Sequence, residues 1–167
     1  MNKLLEIAIT QIGVQEDAAH TNHGEAMKYQ QAAGLGNAGG FPWCQSLVFW
    51  CGKQAYGDNN PVPKTGGVLE CYRLAKAHGL PIIDKGHATP ENILPGYQFI
   101  LDHGKGAGHT GLVLEMFPDG SFSTIEGNSN TDGSRDGYEV AKREGAHKRH
   151  LTDVQLVGFI AYSDNIG

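Results

Sequence analysis

Phe41-Pro42-Trp43-Cys44-Gln45-Ser46-Leu47-Val48-Phe49-Trp50-Cys51 is the stretch from which the rest of the chain can be read. Pro42 stands where a first-turn proline belongs. Cys44, Leu47, Val48, Cys51 and Ala55 then recur at i, i+3, i+4, i+7 and i+11, and Gly57 closes the stripe. The spacing predicts a helix with Cys44 in its first turn. Backbone N–H groups there have no intrahelical acceptor and the helix dipole favours negative charge, so the position stabilises a thiolate, the nucleophilic form of cysteine. Cys51 lies about two turns on, deeper in the apolar face, and reads as a buried structural thiol.

Upstream, Leu4, Leu5, Ala8 and Ile12 share a helical face that Gly13 can end. A second helix is expected to open at Asn22, with Glu25 three residues on in a capping-box arrangement, and to stop at Gly34. A fourth is expected from Val68 to His78. From residue 97 the pattern changes to strands: Tyr97 to Asp102, His109 to Phe117, Ser121 to Asn128 and Gln155 to Tyr162, with Pro118-Asp119-Gly120 as a turn. Helices first and antiparallel strands later imply an α+β fold, N-terminal helices packed on a C-terminal antiparallel β-sheet, with residues 1–167 as a single domain.

Composition narrows the function classes. A 40% hydrophobic and 19% charged chain of 167 residues can bury a core. A net charge of −5 argues against phosphate or nucleic-acid binding. The basic cluster Lys142, Arg143, Lys148 and Arg149, interrupted by Glu144, is expected to be a solvated loop. Three cysteines exclude a complete disulfide framework; a Cys51–Cys71 pair and buried free thiols both stay open. The N-terminus lacks the apolar region and cleavage site of a signal peptide, and no window reaches 18 apolar residues. Synthesis in a cytoplasm is therefore expected, with delivery by other means if the protein acts outside.

A thiol nucleophile needs a base. Of the eight histidines, His109 has context, because it opens a strand after Gly104-Lys105-Gly106-Ala107-Gly108, where small residues admit a substrate backbone. Alternation along that strand puts Thr110, Leu112, Leu114 and Met116 toward the core and His109, Gly111, Val113 and Glu115 toward the cleft or solvent. If Asp119-Gly120 is a two-residue hairpin loop, paired positions sum to 239 and even-numbered residues of the return strand share the face of His109. A four-residue loop keeps that parity; a three-residue loop reverses it. Asn128 becomes the diagonal neighbour of His109, and Glu126 lies one step further. A carboxylate and an amide placed there could fix the imidazole tautomer.

At these residues the sequence resembles the CHAP family, cysteine, histidine-dependent amidohydrolases/peptidases of the papain-like superfamily. The resemblance rests on residues 41–51, on Gly108-His109-Thr110-Gly111-Leu112-Val113 and on Ile125-Glu126-Gly127-Asn128, in that order. It implies hydrolysis of peptidoglycan amides, at the muramoyl–alanine link or within the stem or cross-bridge peptide. Cys44 would attack the carbonyl, His109 would take and return the proton, Glu126 would orient the imidazole and Asn128 would support it, with helix N-terminal N–H groups holding the oxyanion. Trp43, Gln45, His103 and Gly108 are the expected substrate contacts. Some members carry a calcium loop of spaced aspartates before the cysteine; residues 34–40 hold no carboxylate, so no metal and no cofactor is expected. Glu126→Gln is expected to lower turnover far more than stability.

The expected partner is bacterial peptidoglycan, met as a phage lysin, a virion-associated enzyme or a secreted antibacterial effector. The effector setting would add a cognate immunity protein or delivery machinery. Neither nucleic acid nor membrane is expected as a partner, and the chain is expected to act as a monomer. Other readings have less to stand on. Zinc would want an HExxH or paired cysteines near His103 and His109, and a serine hydrolase a GxSxG elbow; the sequence has neither. A papain-like protease acting on protein substrates, or a non-catalytic wall- or partner-binding module, remains open, because fold does not fix function.

Overall fold

The computed structural model describes residues 2–130 and 137–164. Among them, helices α1 (Lys3–Thr10), α2 (Met27–Ala32), α3 (Cys44–Tyr56) and α4 (Val68–Ala77) precede most of the sheet. The strands are β1 (Ile82–Asp84), β2 (Gln98–Gly104), β3 (Ala107–Met116), β4 (Ser121–Ser129), β5 (Glu139–Arg143), β6 (Arg149–His150) and β7 (Leu156–Ile160). They form one antiparallel sheet in the order β1-β7-β2-β3-β4-β5, with β6 pairing β4. The expected α+β arrangement is the one observed. No helix among the described residues is long and apolar enough to cross a membrane.

The central element is α3, which packs against α1 and α2 on one side and β3 and β4 on the other. Its first six residues, Cys44 to Phe49, are all buried, which is why the polar Gln45 and Ser46 are enclosed along with the apolar stripe. Two details of the expected helices differ. The third begins at Cys44 with Trp43 as its N-cap, so Pro42 precedes the helix instead of opening it. The second is a 3₁₀ turn at Gly24–Ala26 running into α2, and Asn22 is not its cap. Asn22 takes a left-handed φ of 61°, and its carbonyl accepts from the Gln30 side chain at 2.5 Å and the Gly40 N–H at 3.2 Å.

Both faces of the sheet are covered. One meets the helices through Ile100, Leu112 and Ile125, and the other carries a second cluster of Phe99, Leu101, Val113, Phe122, Leu156 and Phe159. Val113, expected toward cleft or solvent, is therefore fully buried. Cys44, Cys51 and Cys71 are all free and buried, so no Cys51–Cys71 disulfide forms.

The β3–β4 hairpin decides the site. Its tip is a three-residue loop, Pro118-Asp119-Gly120, closed by Phe117 N–H to the Ser121 carbonyl at 2.9 Å, with Gly120 at φ 85° supplying the left-handed residue such a loop needs. Met116 pairs Phe122 and Glu115 pairs Ser123, but Val113 pairs Thr124, so Leu114 is the extra residue of a β-bulge. The three-residue loop reverses the parity expected of a two-residue one; the bulge reverses it again.

Candidate active site

Trp43 caps α3 through its carbonyl, which accepts from Leu47 N–H at 3.0 Å, and makes no side-chain capping bond. Among the described residues, no side chain caps the first-turn N–H groups at the end of the helix where Cys44 sits. Cys44 lines a cleft of about 250 Å³ together with Leu35, Phe41, Val68, Gly66 and Gly108, and no charged side chain among the described residues lines it. The floor is tied to α3 from within. Gln98 Nε2 donates to Gln45 Oε1 at 2.6 Å and to Thr110 Oγ1 at 2.9 Å. One buried amide thus links the residue after Cys44 to the residue after His109.

His109 Nε2 lies 2.7 Å from Glu126 Oε2, the imidazole 15% exposed and the carboxylate 0%. Past the bulge the register sets Gly111 across from Glu126. A Cβ at Gly111 would come within 2.8 Å of Glu126 Cγ and 2.5 Å of the Ile125 carbonyl, so only glycine leaves Glu126 room to reach along the strand. Gly127, next along β4, would place a Cβ 2.9 Å from the Trp43 ring; its absence seats the start of α3 directly on the strand that carries Glu126.

The charges follow from this packing. Burial pushes the Glu126 carboxyl up, but Arg149 first and His109 second hold it well below the usual carboxylate range. Burial works against the His109 imidazolium, but Glu126, then a hydrogen bond with Cys44, raises it from 6.5 to about 9. An ionised carboxylate only accepts hydrogen bonds, so Nε2 carries the proton toward Glu126 and Nδ1 is the nitrogen left for the Cys44 thiol. The arrangement has the form of a nucleophile–base–orienter series.

The model of the CHAP domain matches residues 36–128, over half of the chain and from the glycine-rich loop through Asn128. The chain belongs to the CHAP family. CHAP domains are in general hydrolases, amidases and peptidases. No curated protein matches the sequence.

Within this CHAP domain the sequence-predicted residues fare differently. Cys44, His109 and Glu126 are brought together. Asn128 sits at an irregularity between β4 and β5 with φ 53°, and no hydrogen bond joins its side chain to His109 among the described residues; its left-handed backbone turns β4 instead. Trp43 and Gln45 do not face substrate, because both are fully buried. Trp43 Nε1 donates to Glu16 Oε2 at 3.0 Å, and Gln45 is taken by Gln98. Gly108 lines the cleft, and a Cβ there would meet the Leu101 carbonyl at 2.6 Å and Val68 at 3.1 Å. His103 is exposed, its ring nearly parallel to His109 at 6.4 Å and its Nδ1 2.8 Å from Gln155 Oε1.

The basic cluster is not a solvated loop throughout. Lys142 pairs Glu144 at the surface, but Arg149 is 13% exposed and grips Glu126 with two bonds, Nε to Oε1 at 2.6 Å and Nη2 to Oε2 at 2.7 Å. Arg143 Nε approaches Oε1 to 3.7 Å. Arg149 escapes a reading of the sequence because β6 is two residues long and has no periodicity of its own. A usable signal exists: an inward carboxylate between Ile125 and Gly127 demands a counter-charge, and cations that could supply one lie in residues 142–149.

Proposed function

We propose that the chain hydrolyses an amide bond of bacterial peptidoglycan by cysteine nucleophilic catalysis, as a muramoyl–alanine amidase or a stem or cross-bridge endopeptidase. The observation that carries this is that Cys44, lining the cleft at the start of α3, acts on the His109 imidazole, whose Nε2 lies 2.7 Å from the buried Glu126 carboxylate. With the proton of the Cys44–His109 pair on His109 Nδ1, the Cys44 sulfur bonds to the scissile carbonyl carbon. The oxyanion is met by N–H groups of the first turn of α3. The imidazolium returns the proton to the leaving nitrogen as the C–N bond breaks, giving a thioester. Neutral His109 then takes a proton from water, hydroxide adds to the thioester, and the carbon–sulfur bond breaks to release the acid and restore the thiol. Glu126 stabilises the imidazolium in both halves.

Glycine walls at residues 66, 67, 106 and 108 suit a narrow, small-residue peptide such as those of the wall, which the enzyme would reach after phage lysis or secretion. Purified peptidoglycan treated with wild type and with Cys44→Ala, then read by mass spectrometry, tests the reading. New fragments from wild type alone are expected, and their masses name the bond. No fragments from several wall types, with casein cut instead, would replace it with a protease.

A further inference from the structure

Glu126 is wholly buried. Its oxygens are filled by Thr124 Oγ1 at 2.6 Å, His109 Nε2 at 2.7 Å and the two bonds from Arg149. The Arg149 guanidinium is itself held over the Phe99 ring at 5.0 Å, and that ring lies 6.2 Å from the imidazole. Other groups face the pair: Cys44 from α3, His103 from β2 and Arg143 from β5, with Asp153 beside Arg149. Arg149 alone among these meets the carboxylate with two charge-assisted bonds, the geometry that fixes direction as well as charge. It also lies outside residues 36–128, the matched family segment.

Hydrolysis through Cys44, on which this inference rests, requires His109 to be imidazolium at one stage and neutral at another. With His109 neutral, an unaccompanied buried carboxylate takes up a proton. A protonated Glu126 would donate to the ring nitrogen it faces. The ring N–H would then point at Cys44, the wrong tautomer to receive the thiol proton.

We propose that Arg149 is a positioning residue of this site, whose fork keeps Glu126 ionised and aimed while His109 gains and loses its proton, so that Nδ1 always faces Cys44. The test is ¹³C and ¹⁵N NMR of the Glu126 carboxyl and the His109 ring against pH, in wild type, Arg149→Lys and Arg149→Gln. In wild type, Glu126 shows no protonation step between about pH 5 and 10 while His109 titrates. Arg149→Gln gains a Glu126 step above about pH 5, and Arg149→Lys, which keeps the charge, does not. On wall substrate Arg149→Gln loses about tenfold or more in kcat with KM nearly unchanged, and lysine restores part of it. A folded Arg149→Gln without that step overturns the proposal. So does a wild-type Glu126 that takes up a proton as His109 loses one, an outcome readable even if the variants do not fold. The titrations need no substrate, so they decide the role of Arg149 whether or not peptidoglycan is cut.

Discussion

Glu126 Oε2 receives both His109 Nε2 and Arg149 Nη2 at 2.7 Å, so one wholly buried carboxylate serves the imidazole and a fixed cation together. Glu126→Gln is therefore expected to cost stability as well as turnover. The substitution strands Arg149 and the imidazolium without a counter-charge, a loss of about 3–5 kcal/mol for a broken buried pair. Urea denaturation at neutral pH measures it. A cost below about 1 kcal/mol would mean that the arginine finds another partner or water in the folded state.

The same pair sets how stability varies with pH. The depressed Glu126 contributes stability that is present above its ordinary carboxyl value of 4.5 and is lost as pH falls toward its folded value. The raised His109 contributes stability that is complete below 6.5 and is lost as pH rises through about 9. Maximum stability is therefore expected at about pH 5–6, with up to about 3 kcal/mol lost by pH 9. Denaturation midpoints across that range check it. A flat profile from pH 6 to 9 would show that His109 is not held as an imidazolium.

Only one thiol should react. Burial pushes Cys71 up to about 12 and Cys51 higher still, whereas Cys44 lines the cleft at a helix start. Iodoacetamide at neutral pH, followed by intact-mass measurement, should give a single fast adduct that Cys44→Ala removes. Equal, slow labelling of all three would remove the activated nucleophile from the mechanism.

Trp43 supports the site from behind. Trp43→Phe keeps most of the packing but leaves Glu16 Oε2 without its donor, at a cost of about 1–3 kcal/mol. Thermal melting should fall while KM on wall fragments stays unchanged. A raised KM at unchanged stability would return Trp43 to the substrate side.

Local periodicity makes much of this legible. The stripe from Cys44 to Ala55 marks α3, and the alternation around residues 118–120 marks the hairpin. The face shared by His109 and Glu126 follows from a two-residue loop in the sequence reading. The real loop has three residues, and the extra residue at Leu114 cancels the difference. The burial of Trp43 and Gln45 is not readable locally, because it comes from α1, α2 and the sheet closing around the start of α3. Arg149 reaches Glu126 through a two-residue strand whose pairing is a tertiary event.

The loop at 118–120 and the bulge at Leu114 are consequently coupled, because changing either alone reverses the face that β4 presents. A one-residue insertion or deletion at the exposed tip looks harmless, yet it would turn Glu126 from the imidazole toward α3 and put Ile125 or Gly127 in its place. By the same count the tip can be resized by two residues, or by one with a matching change in the strand. A grafted hairpin must respect the same odd–even count or arrive with its carboxylate on the wrong side of the sheet.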